Sequence, residues 1–126
     1  MENAATSEIR LEHAFLFVED LARSLAFYAK VFPDWTVRWD GRQTGGGQWV
    51  HFGPEGEGQP GYLSLCSGKP SPNGEHIGFS HPDVNALVSR LATAGVKPTD
   101  RVDDGKFRRI YLEDPDGHEL EFVQKL

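Results

Sequence analysis

The chain has 126 residues, 38% of them hydrophobic and 25% charged, and a formal net charge of -6. That length suits one domain with a real core, and that composition excludes a disordered or fibrous class. The acidic balance argues against a nucleic-acid partner, because the densest basic run is Arg108-Arg109, and the lone cysteine, Cys66, excludes an intrachain disulfide and an all-cysteine zinc site.

Residues 1–8 read as a flexible N-terminus with neither a basic nor an apolar leader segment, and no later run is apolar enough to span a bilayer. The expectation is a cytoplasmic protein without a membrane partner. From Leu11 to Val18 the residues alternate as a strand, with His13, Phe15 and Phe17 on one face and Ala14, Leu16 and Val18 on the other. Both faces are mostly apolar, so cover is expected on both. Asp20 is a candidate N-cap for a helix over 21–31, whose Leu21, Leu25, Tyr28 and Phe32 recur at helical spacing before Pro33 stops it. Trp35 to Trp39, Gln48 to Phe52 and Tyr62 to Cys66 read as strands, and the glycine-rich segments 41–47 and 53–61 between them read as mobile loops or lids.

After a Pro- and Gly-rich linker at 67–74 the pattern begins again. Glu75 to Ser80 is a strand, Asp83 caps a helix that ends at Gly95, and Pro98 to Val102 and Lys106 to Leu112 are strands. Asp114-Pro115-Asp116-Gly117 is a turn, because Pro115 pre-sets φ, the two carboxylates can take nearby N–H groups and Gly117 accepts positive φ. A last strand carries Glu119, Leu120, Glu121, Phe122 and Val123. Each half thus runs β-α-β-β-β. His13 and Asp20 overlay His76 and Asp83 at one offset, and Leu63-Ser64-Leu65 overlays Leu120-Glu121-Phe122, so an internal repeat relates His13 to His76 and Ser64 to Glu121.

His13 to Leu21 followed by Ser24 to Tyr28, then Glu75 to Phe79, then Asp114 to Glu121, resembles the vicinal-oxygen-chelate superfamily of glyoxalase I, extradiol dioxygenases, fosfomycin-resistance transferases and bleomycin-binding proteins. The resemblance covers nearly the whole chain. It implies an α+β fold of two βαβββ modules in one domain spanning 9–126, with module 1 over about 9–67 and module 2 over about 75–126. It also implies a homodimer whose metal site is shared between chains, His13 from one and His76 with Glu121 from the other. Two imidazoles and one carboxylate leave adjacent positions open on a divalent ion (Fe, Mn, Zn, Ni or Co) for two oxygens of a small-molecule substrate. Glu121 and Tyr111 take catalytic positions under the same resemblance, and Phe15, Trp39, Trp49, His51 and Ser64 are pocket candidates.

Two departures from the pattern narrow the class. Ser64 stands where glyoxalase I has a further carboxylate, which disfavours authentic glyoxalase I chemistry. Phe15 and the short tail after Glu121 disfavour fosfomycin transfer. The expected activity is a metal-dependent lyase, dioxygenase or transferase. The alternative is a protein that sequesters a small molecule or antibiotic without catalysis. Glu119, His81 and His118 read as surface groups, and Trp35 as core.

Overall fold

The computed structural model describes residues 8–56 and 58–126. Most of the expected flexible start, residues 1–7, therefore lies outside the described residues. The strands are β1 (His13–Val18), β2 (Trp35–Asp40), β3 (Trp49–Pro54), β4 (Tyr62–Ser67), β5 (His76–Ser80), β6 (Asp100–Asp103), β7 (Phe107–Glu113) and β8 (Glu119–Lys125). The helices are α1 (Leu21–Val31), α2 (Gly41–Thr44) and α3 (Val84–Thr93). The four strands of each half form one sheet in the same order, β1-β4-β3-β2 and β5-β8-β7-β6. In both, the first strand lies parallel to the last and the other pairs are antiparallel. The two βαβββ modules of an α+β fold are present as expected.

Both long helices start at the expected aspartates. Asp20 accepts from Arg23 N at 3.1 Å and Asp83 from Ala86 N at 3.0 Å, so each carboxylate satisfies an N–H that the first helical turn leaves open. The apolar stripes then seal one face of each sheet. Val18, Leu21, Tyr28, Val50, Leu63 and Leu65 are buried in module 1, and Val84, Leu87, Leu91, Ile110, Leu112 and Leu120 in module 2. Removing one such leucine side chain costs about 2–5 kcal/mol, because a cavity is added to the lost transfer energy. Trp35 is core as read, stacked on Phe32 with centroids 4.1 Å apart.

The halves are joined through α1. Phe32 meets Phe79 and Phe122 of module 2 at 5.1 and 5.8 Å between centroids. Tyr28 donates its hydroxyl to Asp114 Oδ2 at 2.7 Å, and Arg23 reaches Asp116 Oδ1 at 2.8 Å. The other oxygen of Asp114 accepts from Asp116 N and His118 N, both at 2.9 Å, which forms the turn that the Asp-Pro-Asp-Gly sequence predicts. Burial and the Asp114 carboxylate push the Tyr28 hydroxyl far above its ordinary 10.0.

Three expectations are corrected. Only one face of β1 is covered within the chain: Phe15 and Phe17 are 44% and 47% exposed, because the helices pack on the Ala14, Leu16 and Val18 side alone. Segment 41–47 is not an open lid. Asp40 caps the short α2 turn through Arg42 N, and Trp39 lies against Gly41 and Gly46. His118 is not simply solvated, since its ring donates from Nε2 to the Phe17 carbonyl at 2.8 Å, linking the start of β8 to β1.

Candidate metal and substrate site

Strand register sorts the candidate residues onto the uncovered face of each sheet. On module 2, parallel pairing sets His76 beside Glu119 and Gly78 beside Glu121, while antiparallel pairing sets Tyr111 beside Glu121. The side chains converge accordingly. His76 Nε2 lies 3.2 Å from Glu121 Oε1, and Tyr111 donates its hydroxyl to Glu121 Oε2 at 2.8 Å. That hydrogen bond is the largest cause of a raised Tyr111 pKa, so the phenol stays protonated and keeps donating. Arg109 Nε stands 3.5 Å from the same Oε2, and its guanidinium lies over the Phe107 ring and pairs with Asp104 at 3.2 Å. The Glu121 side chain is 12% exposed and that of His76 43%, so the pair opens to solvent from the imidazole side.

Arg109 and Glu119 were not singled out from the sequence as site residues. Period-2 alternation was the available signal for Arg109, which precedes Tyr111 by two residues on one strand and so shares its face. Glu119, read as a surface charge, is 3.5 Å from His76 Nδ1 through its Oε1. Its cue was the same alternation, one step before Glu121.

Module 1 carries the other candidates. His13 is not with His76 and Glu121: it lies on β1, its Nδ1 3.0 Å from Glu12 Oε1 and its ring stacked on Tyr62 at 5.1 Å. His51 sits between Tyr62 and Trp39, 4.9 Å from each ring, and burial, followed by His13 and Arg38, lowers its pKa. Ser64 is buried, and its Oγ accepts from the Trp49 indole Nε1 at 2.6 Å. Phe15 meets Trp49 edge-on at 6.1 Å.

Among the described residues, the group of three potential ligands whose atoms lie within 4.8 Å of one another is a different one, Asp114, Asp116 and His118. Its polar atoms already hold Tyr28, Arg23, two backbone N–H groups and the Phe17 carbonyl. That group is the joint between the modules. His76 and Glu121, by contrast, present an imidazole nitrogen and a carboxylate oxygen side by side, a donor pair that fits a divalent ion and leaves the set short of one ligand.

Comparison with known proteins accords with this layout. Residues 10–122 match the model of the Glyoxalase/Bleomycin resistance protein/Dioxygenase superfamily. The chain belongs to that superfamily. Within the superfamily it is 30% identical to a lactoylglutathione lyase of Pseudomonas aeruginosa over 156 aligned positions, covering 97% of this chain and 86% of the lyase. Among solved structures of this fold, TnmS3, an antibiotic binding protein from Streptomyces sp. CB03234, superposes with a TM-score of 0.73 at 22% identity, covering 97% of this chain and all (100%) of that one. A lactoylglutathione lyase from Agrobacterium tumefaciens superposes with a TM-score of 0.66 at 19% identity, covering 91% and 92% of the two chains. At those identities the structural matches establish the shared fold.

Proposed function

We propose that the protein is a metal-dependent enzyme acting on a small molecule that offers two oxygens to a divalent ion held by His76 and Glu121 of one chain and His13 of a second. The observation that carries this reading is the 3.2 Å pairing of His76 Nε2 with Glu121 Oε1 at the two positions where the superfamily resemblance puts ligands. The third ligand position, His13, lies on the other sheet, and in this reading a second chain supplies it. When bound, the ion would stabilise negative charge developing on a substrate oxygen. Tyr111 holds Glu121 Oε2 through its hydroxyl, which fixes the carboxylate plane and leaves Oε1 toward His76. Glu121 would also serve as an acceptor for a proton leaving the substrate. Ser64 supplies no second carboxylate, which disfavours authentic glyoxalase I chemistry.

Subunit mixing tests the shared site. His13→Ala and Glu121→Ala chains, each binding little metal alone, regain up to about a quarter of wild-type metal content when unfolded and refolded together, because half the dimers are hybrids with one intact site of two. No recovery in hybrids confirmed by mass spectrometry would show that the ligands do not come from two chains.

A second reading, sequestration without turnover, is favoured by Arg109, whose guanidinium offsets the Glu121 charge. TnmS3, a binding protein, has the same fold. Under that reading a His13→Ala, His76→Ala double variant keeps full ligand affinity, and under the first it loses it.

A further inference from the structure

Each imidazole assigned to the ion has a carboxylate at its Nδ1. His13 Nδ1 lies 3.0 Å from Glu12 Oε1, and His76 Nδ1 lies 3.5 Å from Glu119 Oε1. An ionised carboxylate can only accept, so the hydrogen bond to Glu12 puts the His13 ring proton on Nδ1 and leaves Nε2 with a free lone pair. His76 also has Glu121 at its other nitrogen, 3.2 Å from Nε2. With Nε2 taken by an ion, the remaining ring proton belongs on Nδ1, where Glu119 is the acceptor.

The two modules reach this arrangement from different strands. Register sets Tyr62 beside His13 and Glu119 beside His76, so Tyr62 and Glu119 occupy equivalent positions. In module 2 that position supplies the carboxylate directly. In module 1 it supplies a ring stacked on the imidazole, with centroids 5.1 Å apart and planes 19° from parallel. The Tyr62 hydroxyl donates at 3.4 Å to the same Glu12 oxygen that faces His13. Burial, followed by that carboxylate, raises the Tyr62 pKa, so the phenol stays a donor. Tyr62 is itself fixed, because the Arg38 guanidinium lies 4.9 Å over its ring and a Cβ at Gly53 would overlap its own Cβ. The Glu12 carbonyl accepts from Tyr62 N at 3.2 Å, which pins the residue just before β1 begins. Glu75 precedes His76 as Glu12 precedes His13, yet its carboxylate turns to Asn73 N, at 3.2 Å. Position in the repeat would pick Glu75, and geometry picks Glu119.

We propose that Glu12 and Glu119 are the positioning residues of the two histidines, each holding the Nδ1 proton so that Nε2 is the atom presented to the ion. This rests on the metal reading above. With side chains 62% and 37% exposed, the two carboxylates add little to stability, so their removal leaves the fold intact and its effect falls on the imidazoles.

Long-range proton–nitrogen correlation NMR reads the tautomer without any metal. In metal-free protein at about pH 8.5, where an ordinary imidazole is neutral, His13 is expected to carry its proton on Nδ1 and to lose that signature in Glu12→Ala. Competition with a chromophoric chelator is expected to show Zn(II) held about tenfold to a hundredfold less tightly by Glu12→Ala and by Glu119→Ala. Glu75→Ala removes the same charge beside His76 and is expected to bind Zn(II) as wild type does. His13 protonated on Nε2 in the wild type overturns the proposal, as does a loss in Glu75→Ala equal to the other two, which would make the effect one of general charge. A loss as large as that of Glu121→Ala also overturns it, because the carboxylate would then be a ligand itself. A wild type that takes up no Zn(II) overturns the metal reading and the proposal together. Zn(II) binding by the wild type that is unchanged in both variants overturns the proposal alone.

Discussion

The two modules repeat one topology yet leave opposite surfaces open. Module 1 presents a run of rings with Ser64 accepting from Trp49, and module 2 presents His76, Glu119, Glu121, Arg109 and Tyr111. Strand order and the register of the parallel pair are the same in both, with a register shift between Val37 and Trp39 in β2 alone, so most of the difference comes from what occupies the outward positions of equivalent strands. Ser64 and Glu121 are the clearest pair. Each sits on the strand parallel to the first of its sheet, but one accepts an indole N–H under a ring and the other gathers an imidazole, a phenol and a guanidinium. Duplication of a scaffold thus allows one copy to specialise in shape and the other in charge.

The largest expected effect tests that division directly. Glu121→Ala should weaken metal binding about a hundredfold or more, beyond the range seen for outer-sphere partners, while Trp49→Phe leaves it unchanged. Equal losses in inductively coupled plasma measurements on the two variants would erase the contrast.

Next in size is the joint that both faces depend on. Tyr28→Phe leaves one Asp114 oxygen without its buried donor and should cost about 2 kcal/mol in urea unfolding at neutral pH. The folded chain keeps Tyr28 neutral well above 10.0, whereas the unfolded chain ionises there. Its contribution is therefore complete below pH 10 and is lost as pH rises beyond it, with a slope of at most about 1.4 kcal/mol per pH unit. Unfolding curves from pH 8 to 11 should fall away more steeply for wild type than for Tyr28→Phe.

Two smaller substitutions compare a hydrogen bond on each face. Ser64→Ala strips the acceptor from a part-buried indole N–H and should cost about 1 kcal/mol. Tyr111→Phe removes a donor from Glu121, which retains His76 and Arg109, and should cost about 0.5 kcal/mol. Reversal of that order in thermal melts would mean that the charged face is the more tightly built of the two.

Local chemistry made much of this legible in the sequence. The Asp20 and Asp83 caps, the Asp-Pro-Asp-Gly turn and the two apolar helix stripes are set by neighbours within a few residues, and each stands where read. The pairing of His76 with Glu121 followed from the family resemblance, which implies a ligand position for each. What escaped depends on partners distant in sequence or on which side of a strand is sealed. Alternation makes both sides of β1 apolar and cannot say that Phe15 and Phe17 stay open. His118 finds its acceptor 101 residues away, and nothing around it in the sequence marks that contact. The glycines at 41 and 46 looked like freedom to move because a glycine's reason for being small is visible only once Trp39 is seen lying on them.

The joint between the modules also bears on how the chain tolerates being cut. Asp114, Asp116 and His118 of the second half grip Tyr28, Arg23 and Phe17 of the first, and Arg90 returns the grip through the Lys30 and Val31 carbonyls at 3.0 and 2.8 Å. None of these contacts uses the exposed linker residues 71–73. A protease nick there leaves two fragments that still hold each other, so the halves should co-purify after cleavage.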